Sequence, residues 1–229
     1  MPPIVIRGRS YPDLNALVED LAERGRSWIL ENPGQGSPAD AFSGIGPALT
    51  AEVENAATEL MRRAQHPGEL RIAQHLGAGP HAPFYAALLD RLEGRPPLPP
   101  DADREELLQS ATWVTVGRDP ALRARARAIL TKEERYDLLI NLLSLDDPDG
   151  DLVEVLERAV QRHTLTPVQA GAVGFVLARR APGELPRAAR ALAAQPPAAC
   201  DAFLDRATKA NPGAVEPQVR ALCAALGMN

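Results

Sequence analysis

The densest run of ionisable side chains is Asp146-Asp147-Pro148-Asp149-Gly150-Asp151, and cation binding is the chemistry it suggests. A calcium loop aligned on that glycine as its sixth residue needs oxygen ligands at positions one and twelve, which here are Leu145 and Leu156. Both ends fail, so the run is expected to be a solvated turn whose last acid, Asp151, supports the N-terminus of a following helix. The histidines His66, His75, His81 and His163 show neither H-x-x-x-H nor H-E-x-x-H spacing. His66, His75 and His81 fall in neighbouring loops where they could converge, but no cysteine or close acid joins them. They are expected to be surface or capping residues, and no metal site is assigned.

Nucleophilic and nucleotide chemistry fare no better. Gly34-x-Gly36, Gly44-x-Gly46 and Gly77-x-Gly79 are bare fragments that neither follow a strand nor open a helix, and no G-x-x-x-x-G-K-[ST] is present. There is no G-x-S-x-G elbow. Cys200 and Cys223 lie in apolar stretches without C-x-x-C spacing, as buried thiols of a reducing compartment do. No catalytic residue and no cofactor site is assigned, and the chain is not expected to be an enzyme.

Arginines remain. Arg118, Arg123, Arg125 and Arg127 form the strongest basic run, with Arg123 and Arg127 one helical turn apart and Arg125 pointing elsewhere. Arg179, Arg180, Arg187 and Arg190 make a second group. Together with Trp113, the residues Arg118, Arg123 and Arg127 are the candidate binding residues. Yet the 229 residues hold 25 Lys+Arg against 30 Asp+Glu, a net charge of −5, which disfavours a protein whose main task is neutralising phosphates. Nucleic acid is therefore an unfavoured partner.

The elements that must position these residues are helices. Hydrophobic residues make up 45 % of the chain and aromatics only 4 %, while 39 alanines give a composition rich in helix formers and poor in sheet formers. Ile4-Val5-Ile6 is the single expected strand. Ser10-x-x-Asp13 has the form of a capping box for a helix reaching about Asn32, with Leu14, Leu17, Val18 and Leu21 on one face. A helical turn at Ala39–Phe42 and helices over Pro47–Gln65, Glu69–Leu76 and Pro83–Leu92 follow. Arg95-Pro-Pro-Leu-Pro-Pro-Asp101 is expected to be extended chain between two halves. The domains are thus 1–94, a Pro-rich linker 95–101, and a helical region 102–229. In that region helices are placed at Asp103–Val116, Pro120–Leu130, Lys132–Leu145, Asp151–His163, Pro167–Arg180, Glu184–Ala194, Pro197–Ala210 and Ala214–Leu226. Asp119-Pro120 and Thr166-Pro167 supply caps with a first-turn proline, and Thr131-x-x-Glu134 has capping-box form. Loops of two to six residues make sequential helices antiparallel neighbours.

A turn recurs: Pro67-Gly68-Glu69-Leu70, Pro182-Gly183-Glu184-Leu185, Pro212-Gly213-Ala214-Val215 and, more loosely, Pro148-Asp149-Gly150-Asp151-Leu152. Gly150, Gly183 and Gly213 are 33 and 30 residues apart. Two, six and nine residues after each stand apolar side chains: Leu152, Leu156, Ala159; Leu185, Ala189, Leu192; Val215, Val219, Leu222. One helix face is being repeated. Each glycine is expected to make the left-handed turn that ends a helix. Pro167–Arg180, apolar nearly all round, is expected to be buried on most sides, with Gly171 and Gly174 allowing close approach of a neighbour.

With that period and turn chemistry the chain resembles the HEAT-like and armadillo-like helical repeat proteins, over about 103–229 and more weakly over 47–93. The resemblance is one of architecture, since no family motif is matched and the tetratricopeptide pattern is missing. It implies an all-α fold of stacked antiparallel helix pairs, an α-solenoid, with one short N-terminal strand. It also implies a non-catalytic scaffold that binds another protein along an extended surface. The opening strand, turn and helix loosely resemble small modules that bacteria attach to signalling and defence proteins. The HEAT-like DNA alkylation-repair glycosylases are similar in length and supply the alternative function, nucleic-acid binding through arginine-bearing faces, but they are basic where this chain is acidic. The first residues hold a three-residue apolar run where a signal peptide needs about 7–15, and nothing approaches the roughly 20 apolar residues of a membrane span. The expected location is cytoplasmic, and the 23-to-2 excess of Arg over Lys suggests a GC-rich bacterial source.

Overall fold

The structure is a computed structural model and describes residues 3–6, 8–31, 50–77, 81–113, 119–144 and 151–225. The fold is all-α with a short N-terminal sheet. Strands β1 (Ile4–Ile6) and β2 (Arg9–Tyr11) form an antiparallel hairpin, pairing Ile4 with Tyr11 and Ile6 with Arg9. The helices are α1 (Leu14–Glu31), α2 (Ala51–Arg63), α3 (Pro67–Gly77), α4 (Ala82–Leu92), α5 (Arg104–Ala111), α6 (Pro120–Lys132), α7 (Tyr136–Ser144), α8 (Leu152–Arg162), α9 (Pro167–Arg180), α10 (Leu185–Leu192), α11 (Pro197–Ala210) and α12 (Pro217–Ala225). None of the described helices is long and apolar enough to cross a membrane. The expected turn at Ala39–Phe42 lies outside the described residues.

The chain divides into two compact units, residues 1–129 and 130–229, at a point within α6. This differs from a boundary at 95–101. The Pro-rich segment belongs to the first unit because the Arg91 guanidinium donates to Pro97 O (2.8 Å) and Pro99 is buried.

In the first unit, Leu17, Val18 and Leu21 of α1 are fully buried, as their spacing requires. Helix α1 does not begin at Ser10. That residue pairs in β2, and Asp13 is the cap, accepting from Ala16 N at 2.9 Å. Helix α1 crosses α3 where Gly25 meets Gly68: a methyl on Gly25 would stand 2.5 Å from Gly68 O. The inward residues expected of α2 (Val53, Ala57, Leu60, Met61 and, just past its end, Ala64) are all buried, and α2 packs on both α3 and α4.

In the second unit the helices fall into two rows. Helix α9 packs on α7 and α11, while α10 packs on α8 and α12. Polar side chains tie each helix to the segment one pair earlier. Gln169 Nε2 donates to Asp137 O (3.0 Å), Gln195 Nε2 to His163 O (3.2 Å) and Asn211 Nδ2 to Ala178 O (3.1 Å), separations of 32, 32 and 33 residues. The apolar stripes Leu152/Leu156/Ala159, Leu185/Ala189/Leu192 and Val215/Val219 are buried; the Leu222 side chain is outside the described set.

The turns between them are built differently from the expectation. Pro182–Glu184 and Pro212–Ala214 are single 3₁₀ turns, and neither Gly183 nor Gly213 has a left-handed backbone, nor does Gly68, which sits inside α3. A 3₁₀ turn needs no positive φ, so proline as its first residue suffices. Left-handed closures occur instead at Gly94 (φ 81°) and Glu134 (φ 56°). At the latter, Glu134 N donates to Thr131 O and Arg135 N to Leu130 O (2.9 Å), the paired bonds that close a helix C-terminus. Thr131-x-x-Glu134 is therefore the end of α6 and caps no new helix.

Candidate functional site

The arginines proposed from sequence are dispersed. Arg118 lies outside the described residues. Trp113 follows the last turn of α5 and is 56 % exposed. Arg123 and Arg127 are half-buried on α6, and Arg125, on another side of that helix, is taken up by acids of α4. Its Nη2 donates to Asp90 Oδ1 at 2.6 Å and to Glu93 Oε2 at 2.9 Å, and this holds the Glu93 carboxyl below its usual range.

In the second basic group, Arg187 makes a two-pronged bond to Glu157 (2.8 and 2.6 Å) that joins α10 to α8. The bond lowers the Glu157 carboxyl and raises the guanidinium. Arg179 stacks on the Phe175 ring, its guanidinium carbon 5.4 Å from the ring centre.

The histidines do not converge. His66 Nδ1 accepts from Gly68 N at 3.1 Å within its own turn, while His81 Nδ1 faces Glu54 Oε2 at 3.4 Å. Among the described residues no group of three or more His, Cys, Asp or Glu side chains is placed to hold a metal ion. Of the acidic run only Asp151 is described, and it caps α8 by accepting from Glu154 N at 2.9 Å. Cys200 and Cys223 are buried free thiols, and burial pushes both above the ordinary thiol value.

The feature that sequence reading missed is a groove on α9. Its apolar character is only partly used in packing: the Gly171–Gly174 side lies against α11, where a methyl on Gly174 would collide with Phe203 O. That close approach matches the role expected of the two glycines. Val173 and Leu177 are buried as well, but the flank of α9 beside the Gly171 contact is not, where burial on most sides was expected: the α9–α11 contact closes over the glycines and leaves Val168 and Phe175 at its edge. Val168 is 80 % exposed and Phe175 40 %. With Pro167, Ala172 and Val176 they border a groove of about 460 Å³, completed by Ala202, Asp205 and Arg206 of α11 and by Ser144 at the end of α7. The Ser144 Oγ is buried there and has no hydrogen-bond partner among the described residues. The described lining is mainly apolar, with Asp205 and Arg206 as its ionisable residues. The sequence signal was present in the wide apolar arc of α9, which one neighbouring helix cannot cover. Comparison of the chain with protein-family models, with curated proteins and with solved structures finds no match.

Proposed function

We propose that this chain is a non-catalytic helical-repeat scaffold that binds another protein, and that the α9–α11 groove of its second unit is the binding surface. One observation carries the reading: Val168 and Phe175 stand exposed in a unit whose recurrent stripes, among the described residues, are 6 % exposed or less. The two lie two turns apart on one face of α9 with half-buried Ala172 between them, and contiguous exposed apolar surface marks an interaction site where singly scattered residues do not. The repeat character is supported by the links between successive helix pairs. In the second unit these hydrogen bonds span 28 to 35 residues, the spacing of units that touch only their neighbours. The setting we infer is the bacterial cytoplasm, in signalling or defence.

A photo-crosslinking amino acid at position 168, irradiated in the native host, tests the reading. The expected product is one discrete protein adduct, lost when Phe175→Glu is added to the same chain. Smeared or absent adducts, or an adduct to nucleic acid, would overturn it. The nucleic-acid alternative draws on Arg123 and Arg127, but Arg125 and Arg187 are already neutralised by carboxylates. Passage through a heparin column at low salt is the expected behaviour.

A further inference from the structure

We infer that the α9 groove receives an acidic amphipathic helix of about three turns, an inference that rests on the protein-binding reading above and specifies the partner's chemistry. The groove's exposed wall is one helical stripe. Val168, Ala172, Phe175 and Val176 are spaced by four, three and one residues, and Arg179 continues the same face. From Val168 to Arg179 the stripe is about 16 Å long at 1.5 Å per residue, and about 10 Å wide, the diameter of a helix. Its footprint is on the order of 200 Å², far below the roughly 800 Å² per partner of a stable interface between globular proteins. A second copy of the chain docked through this stripe alone falls short of that area. A single helix laying apolar anchors into the groove matches its dimensions.

Charge selects the sign of that helix. Asp205, the one acid among the described residues that line the groove, is engaged by Lys209 at 2.8 Å. Arg206 lines the groove with its stem against Gly171, and Arg179 lies over Phe175. Among the described residues neither arginine forms an ion pair with a carboxylate. Among the described residues the uncompensated charge beside the apolar wall is therefore positive, in a chain whose net charge is −5. A partner helix with apolar residues at i, i+4 and i+7 and Asp or Glu flanking them satisfies both the wall and the two guanidinium groups. A basic helix of the same shape is repelled.

The test is selection of 16-residue peptides from a random displayed library on the immobilised full-length chain, with affinities of the selected peptides measured by fluorescence anisotropy. Peptides of acidic amphipathic pattern are the expected winners. Phe175→Ser or Val168→Ser should weaken them at least tenfold, and added salt should weaken them further. Arg206→Glu, an exposed position where folding is not at stake, should reverse the preference toward the same pattern bearing lysine. Winners that are basic or uncharged and are still weakened by Phe175→Ser would overturn the acidic-helix assignment while leaving the scaffold reading standing. Winners indifferent to both serine substitutions, or no winners, would overturn the assignment of this groove. Light scattering showing a dimer that Phe175→Ser dissociates would give the groove to a second copy instead.

Discussion

Arg91 shows how a charged residue can be part of a core. Its side chain is 1 % exposed, and its guanidinium donates to Met61 O (2.7 Å), Arg62 O (3.0 Å), Ala64 O (2.7 Å) and Pro97 O (2.8 Å). The last carbonyls of a helix have no intrahelical partner, and a planar fork of five N–H donors meets several at once. Burial lowers the Arg91 pKa, while the nearby Glu69 carboxylate opposes that shift. Arg91→Leu leaves those carbonyls buried and unpaired, at about 1–3 kcal/mol each, so a loss of about 3 kcal/mol or more is expected in urea unfolding. Arg91→Lys should recover little, since one ammonium cannot span four acceptors; a loss under about 1 kcal/mol for the leucine variant would show that water replaces the fork. Glu134 is the opposite case. It occupies a left-handed position that glycine adopts without strain, and its pair with Arg162 is half exposed and worth little. Glu134→Gly is expected to stabilise by about 0.5–1 kcal/mol, seen as a rise of a few degrees in Tm. Neither role was legible in the sequence, where Arg91 is one position in the helix Pro83–Leu92 and Glu134 the last residue of a capping-box motif. Both depend on carbonyls that only the ended helix exposes.

At the scale of elements, legibility followed the locality of the signal. Asp119, Asp151 and Thr166 cap the helices they precede, Thr166 within a full capping box with Gln169, because every atom involved lies within four residues. Ser10 and Thr131 carry the same letters and fail, since strand pairing claims the first and α6 runs through the second. Of the four Pro-Gly turns, those at 182–184 and 212–214 stand where expected but are built by another mechanism, Pro67-Gly68 lies inside α3, and Pro148–Gly150 falls outside the described residues. This separates two glycines that look alike in sequence. Gly174 faces the α11 backbone so closely that a methyl cannot fit, whereas Gly183 has open space around it and no left-handed φ. Gly174→Ala should therefore cost about 1–3 kcal/mol through overpacking, and Gly183→Ala should be neutral or stabilise by up to about 1 kcal/mol. Equal effects in thermal unfolding would mean that the α9–α11 contact is looser than described. The exposed face of α9 was missed for a related reason. Apolar periodicity reports how much of a helix can be buried, and the glycines decide which side is.

Across the whole chain the acids set how stability responds to pH. Burial alone would raise the Asp137 carboxyl, yet hydrogen bonds and charge from Arg135, with His163 beside them, hold it below 3.8, its ordinary value. Glu93 and Glu157 are held below 4.5 by Arg125 and Arg187. Glu106 goes the other way, raised by burial despite Arg71. A carboxyl whose folded pKa is depressed adds stability that is fully present above its unfolded pKa and is lost as pH falls through its folded value. Glu106 works against this, because the folded state favours its neutral form. Glu52, at the start of α2, is lowered too by local hydrogen bonds, so among the described residues four depressed acids outweigh one raised acid in number. Glu93 and Glu157 are solvent-screened, so Asp137, the more enclosed, dominates per group. Protonation also strips the negative charge that balances 25 Lys and Arg and four His, and the resulting self-repulsion acts in the same direction. Urea midpoints should therefore be level from pH 7 to about 5 and fall steeply below about 4. Asp137→Asn removes one contributor to that slope: the gap between it and the parent chain, about 1 kcal/mol at pH 7, should close as pH drops below 3.8. A gap that stays constant down to pH 3 would show that ionisation of Asp137 is not what stabilises the fold, since the variant keeps the shape and the backbone carbonyl bond to Gln169.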